Sequence, residues 1–159
     1  LEMAQTVNSS WGFSLVDTNF KSDERIVRDL VGAAGRNANF VLNTGPMPNG
    51  KIQPESLATF AAMGKWLKQT GRSIYKTRGG PIGPQPWGVT TQRGKTVYVH
   101  ILDWTQDALT LPLDQAVAGA RLLSSGQPIG VTQANGKVTL TGAAKQPGEW
   151  DRIVELTLR

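Results

Sequence analysis

The chain has 159 residues and a formal net charge of +5, from 17 Lys and Arg against 12 Asp and Glu. The basic residues are scattered singly, without the basic stripe and interleaved aromatics of a nucleic-acid binder, so no nucleic-acid partner is expected. With no cysteine there is no disulfide, thiolate zinc site or cysteine nucleophile, and 18 glycines with 9 prolines favour turns over a helical bundle.

No stretch approaches the apolar length that crosses a bilayer, so no membrane partner is expected. The opening LEMAQTVNSS lacks a basic region followed by a hydrophobic one, so no signal peptide is read there and the compartment stays open. The first strand is placed at residues 2–7, followed by a polar and aromatic loop, NSSWGFSLVDTNFK. Ser22 is a good helix N-cap, and Asp23 and Glu24 put negative charge in the first turn, where the helix dipole favours it. Ile26, Val27, Leu30, Val31 and Ala34 recur at helical spacing, and Gly35 is read as the left-handed stop.

Residues 39–43 are apolar at Phe40, Val41 and Leu42 without alternation, as expected of a parallel strand buried on both faces. A second helix starts at Pro54, its first position, and stops at Gly71. Strand, helix, strand, helix implies parallel strands covered by helices, and two such strands cannot bury themselves. The stretch TRGGPIGPQP, 77–86, is read as an irregular linker that divides residues 1–78 from a second domain at 85–159. That domain is predicted to be antiparallel, with strands at 87–92, 96–103, 120–124, 131–133, 137–141 and 152–158. Arg93-Gly94-Lys95 is read as a hairpin connection and Asn135-Gly136 as the clearest tight turn. A small β-sandwich is their natural sum.

The stretches EMAQTVNSSWGF, GRNANFVLNTGPMPNGKIQPE, MGKWLKQTGRSIYKTRGG and VYVHILDW together resemble the C-terminal part of an α-L-fucosidase of glycoside hydrolase family 29. The resemblance implies the last two strand–helix units of a (β/α)8-type barrel followed by a C-terminal antiparallel β-sandwich, and so an α/β plus β fold class. It further implies retaining hydrolysis of α-linked fucose, with fucosides or fucosylated glycans as partners and no cofactor. Retention uses two carboxyl groups about 5 to 5.5 Å apart, one a nucleophile and one an acid/base. The family's nucleophilic Asp, its acid/base and its sugar-holding histidines lie in segments without counterpart here, and the single histidine is His100.

Among candidate residues, Trp11 matches the family's aromatic that packs on the apolar edge and methyl group of fucose; without the resemblance it reads as a loop anchor. Phe13 is read as packing. Glu2, at the start of a strand, is the one catalytic candidate, set against a structural barrel carboxylate. Asn43, Thr44 and Gly45 end a strand at the face where barrel enzymes keep their sites, and MPNG is read as pocket rim. His100 has no partner at triad spacing and reads as packed or surface; Asp103 and Asp107 read as turn chemistry, so no metal is expected. Two functions follow: a shortened fucosidase completed by homo-oligomerisation or by a partner chain supplying the missing barrel half, or a non-catalytic chain that binds carbohydrate.

Overall fold

The computed structural model describes all of residues 1–159. Two strands, β1 (Glu2–Thr6) and β2 (Asn39–Asn43), run parallel in the register Glu2↔Asn39 to Thr6↔Asn43. Helix α1 (Asp23–Gly35) connects them and α2 (Pro54–Thr70) follows β2. The predicted β-α-β-α order is therefore present, with no closed barrel around it. The strands are not buried on both faces: Glu2, Ala4, Asn39 and Val41 are exposed, because helices cover one side only.

Ser22 caps α1, its hydroxyl accepting from Arg25 N at 3.2 Å. The left-handed residue past the helix is Asn37, at φ 58°, rather than Gly35. Gly35 is required for another reason: a Cβ there would overlap Val89 on the sheet beneath, lying 2.6 Å from Val89 Cγ2. Pro54 opens α2 as read from sequence.

The rest of the chain forms two antiparallel sheets. Strands β3 (Arg78–Gly79), β4 (Gly88–Arg93), β5 (Thr96–Ile101), β7 (Val117–Leu122) and β10 (Arg152–Leu158) make the larger, in the order β3-β4-β5-β10-β7. Strands β6 (Ala108–Pro112), β8 (Gly130–Ala134) and β9 (Lys137–Thr141) make the smaller, in the order β6-β9-β8. The stretch read as linker contributes β3, since Arg78 and Gly79 pair with Gln92 and Thr91. Arg93 pairs directly with Thr96, so the first hairpin turns on Gly94 and Lys95 alone, with Gly94 at φ 58°. Strand β6 escaped the sequence reading, although Leu109, Leu111 and Leu113 alternate and are all buried.

The sheets face each other over a core built from Val97, Val99, Ile101, Leu111, Leu140 and Leu156. The opposite face of the larger sheet carries Val89, Tyr98, Leu102 and Ile153, which pack with Ile26, Val27, Val31, Met63 and Trp66 of the helices. Strand β5 is thus buried on both faces because it sits between two cores. Burying each such aliphatic side chain stabilises by about 1.5–3 kcal/mol, so the second core fixes the helices, and through them β1 and β2, on the sandwich.

Candidate functional site at the carboxyl ends of β1 and β2

The loop between β1 and α1 folds back over the ends of both parallel strands. Val7 N donates to Asn43 O at 3.1 Å and Lys21 N donates to Val7 O at 2.9 Å, closing the loop at its base. The Lys21 ammonium then fills the strand end, donating to Thr6 O at 2.5 Å, Thr6 Oγ1 at 3.0 Å and Asn8 O at 3.1 Å. Asn8 O also accepts from Thr6 Oγ1, so an ammonium with three donors ties the end of β1 to the loop that follows it.

Within the loop, the Asn19 amide donates to Ser9 Oγ at 2.8 Å and Asp17 Oδ1 accepts from Asn19 N at 3.1 Å. Asp17 is held below the ordinary aspartate range, first by the Ser10 hydroxyl and also by the amides of Asn19, Ser9 and Ser10, against a smaller opposing effect of desolvation. Each donor favours the ionised carboxylate, and the segment 9–10 beside it leads into one further loop residue.

That residue is Trp11, whose side chain is 58% exposed. Its carbonyl accepts from Asn43 Nδ2 at 2.5 Å, and Gly45 passes so close that an added Cβ would overlap the Gly12 and Phe13 backbone. The indole is therefore open to solvent and does not anchor its loop by burial. Phe13 is half-buried. Thr44 Oγ1 donates to the buried Ser56 Oγ at 2.9 Å, tying the end of β2 to the first turn of α2. Between them the MPNG segment closes on itself through Met47 N to Lys51 O and Gly50 N to Met47 O, both 2.8 Å, with Gly50 at φ 79°. This compact turn lies between the end of β2 and α2.

Glu2 lies elsewhere. It opens β1 beside Asn39, exposed, at the end of the strand away from Trp11. Four residues of strand separate it from Thr6, roughly 13 Å. The structure brings Trp11, Asn43, Asp17 and Lys21 to one end of the parallel pair and leaves Glu2 at the other.

His100 has a partner that spacing did not reveal. It is completely buried, with Nδ1 at 2.6 Å from Asp151 Oδ2 and Nε2 at 3.2 Å from Thr91 Oγ1. The Thr91 hydroxyl donates to Ser73 O at 2.6 Å. The Asp151 carboxylate accepts from Nδ1. A Thr–His–Asp line thus exists, but its hydroxyl is buried and already bonded, so it joins the turn after α2 to β4, β5 and β10 and offers no nucleophile. Asp103 pairs with Arg28, and Asp107 Oδ1 accepts from Gly142 N at 3.1 Å; both serve local structure.

Comparison with known proteins gives the chain its family. A family model described as alpha-L-fucosidase matches residues 1–72. The plasma alpha-L-fucosidase of Homo sapiens is 30% identical over 131 residues, 76% of this chain and 28% of that protein. The tissue alpha-L-fucosidase of Rattus norvegicus is 30% identical over 121 residues, covering 68% of this chain and 25% of the relative. Among solved structures, alpha-L-fucosidase isoenzyme 1 from Paenibacillus thiaminolyticus superimposes with a TM-score of 0.89 at 31% identity, over 99% of this chain and 39% of that one. A Bacteroides thetaiotaomicron family 29 enzyme, trapped as a covalent intermediate with 2-fluoro-fucosyl fluoride, gives 0.88 at 27% identity, over 99% and 38%.

The class these likenesses define is that of the glycoside hydrolases. Within it, the chain belongs to the α-L-fucosidase family, glycoside hydrolase family 29, and corresponds to the C-terminal part of its members. It spans about a quarter of the length of the curated relatives it matches.

Proposed function

We propose that residues 1–159 act as the C-terminal part of a retaining α-L-fucosidase. In this reading β1, α1, β2 and α2 are the last two strand–helix units of a (β/α)8-type barrel, in a segment ending near residue 78, and residues 85–159 are a C-terminal sandwich domain. The observation that carries it is the loop fastened over the carboxyl end of β2 by Asn43 and Gly45, which holds Trp11 open where barrel enzymes keep their sites. An exposed indole suits the apolar, methyl-bearing side of fucose, because it removes C–H groups from water without needing directional bonds.

Two reacting carboxyl groups about 5 to 5.5 Å apart are needed for retention. Glu2 is at the far end of β1 from Trp11, so both are assigned to barrel segments outside residues 1–159. The parallel pair supports this: β1 and β2 bond only to each other, and Leu1, Val41, Leu57, Phe60 and Tyr75 around them are exposed. Light scattering should then give a mass above 17.1 kDa.

The test is release of nitrophenol from an aryl α-L-fucoside, read beside fucose binding. Turnover by the purified chain, or by the chain with its partner, supports the hydrolase. Fucose binding without turnover in either state leaves the non-catalytic carbohydrate-binding reading. A chain that binds no fucose in any assembly contradicts both.

A further inference from the structure

A cavity of about 470 Å³ lies on the sandwich, between the β5–β6 loop and the segment leading into β10, and Trp104, Gln106, Lys145 and Gln146 are among its walls. That volume falls within the range of small-molecule sites. Its position follows from the topology. Lys145 Nζ reaches Glu24 Oε1 at 3.4 Å, and Arg28 bonds both Asp103 and Leu102 O, so the cavity adjoins the first two turns of α1. A helix that follows a strand begins at the strand's carboxyl end; the cavity and the Trp11 loop therefore open on the same end of the β1–α1 unit.

Its chemistry points to a neutral, polyhydroxylated ligand. The charges at its edge are already matched, Asp103 by Arg28 and Lys145 by Glu24, which leaves no free cation for a phosphate or carboxylate. Trp104 donates its indole N–H to Ala108 O at 3.3 Å and packs against the sandwich core, so the ring offers apolar surface in a fixed orientation. Gln106 and Gln146 are exposed amides on either side; Gln146 Nε2 is held by Ala144 O at 3.0 Å. A fixed aromatic ring flanked by amides matches a pyranose, whose C–H face stacks while its hydroxyls give and accept hydrogen bonds.

We infer that this cavity is a second carbohydrate subsite, which holds a neutral sugar residue of the glycan that carries the fucose. The inference rests on the fucoside reading given above, and the experiment separates the two. The full chain is titrated with L-fucose and with a neutral fucosylated trisaccharide, by calorimetry, for wild type, Trp104→Ala, Gln106→Ala/Gln146→Ala and Trp11→Ala. Trisaccharide should bind at least about tenfold more tightly than fucose, and the cavity variants should erase that advantage with fucose affinity unchanged. The exposed glutamine pair keeps the test valid if Trp104→Ala fails to fold. An advantage that survives the glutamine variant, or no advantage in wild type, overturns the subsite. Loss of fucose binding in Trp11→Ala supports the primary site independently of that result. If trisaccharide binds through the cavity while fucose alone binds nowhere, the subsite stands and the fucose pocket falls.

Discussion

Gly35→Ala should separate packing from propensity at the seam between the helices and the sandwich. Gly35 is the last residue of α1, and a methyl group there would overlap Val89 Cβ and lie 2.6 and 3.0 Å from its two Cγ atoms. Carbon atoms in ordinary contact stand about 3.5–4.0 Å apart. Rotating the valine side chain does not move its Cβ, so α1 or β4 must shift. Overpacking of this kind costs about 1–3 kcal/mol. Alanine's helix preference over glycine returns up to about 1 kcal/mol, less at a helix end. A net loss of about 1–2 kcal/mol lowers the melting temperature by roughly 2–8 °C in a chain of this size. The assay is thermal unfolding by circular dichroism of wild type, Gly35→Ala, Val89→Ala and the double variant. Because Val89→Ala removes two of the three clashing atoms, the cycle should show favourable coupling of at least about 0.5 kcal/mol. A neutral or stabilising Gly35→Ala, uncoupled to position 89, would refute close packing of α1 on β4.

Other consequences are as direct. Trp11→Ala should weaken fucose binding by about 1–3 kcal/mol in calorimetry, while stability changes by less than about 0.5 kcal/mol because the ring is exposed. His100→Leu alone strands the buried Asp151 carboxylate and should cost about 3–5 kcal/mol in urea unfolding; His100→Leu/Asp151→Leu should recover part of that loss. Asp17→Asn should loosen the loop, read as faster amide exchange at Asn19, whose N–H Asp17 Oδ1 accepts, with the core unchanged. The folded carboxyl is depressed, so its stabilisation is full above the unfolded value of about 4 and disappears as pH falls through the lower folded value. Wild type should therefore lose loop protection at low pH, and Asp17→Asn should show no such dependence.

The elements of the first half were legible because caps and periodicity act locally: Ser22, Pro54 and the spacing of Ile26, Val27 and Val31 place both helices. What escaped was set by partners distant in sequence. Gly35 is dictated by Val89, not by helix termination, and Asn37 takes the left-handed turn. Val41 is apolar yet exposed, since apolarity expresses a demand for burial and not where the cover comes from. Strand β6 was hidden by the proline at its end, Pro112, and by the turn-forming Asp103 and Asp107 before it, although Leu109 and Leu111 alternate clearly. At the site, Trp11 could be singled out from the motif, but the Asp17 and Lys21 contacts that shape its loop depend on the loop's closed geometry. The His100–Asp151 pair spans 51 residues and becomes visible only when β5 pairs with β10.

The account's central claim is that fucose is received at Trp11, over the carboxyl ends of β1 and β2. Its most direct test follows the indole N–H resonances of the tryptophans during titration with L-fucose. The Trp11 resonance should move saturably while those of Trp66 and Trp87, buried in the two cores, stay fixed. A Trp11 resonance that does not respond while fucose demonstrably binds would contradict the claim.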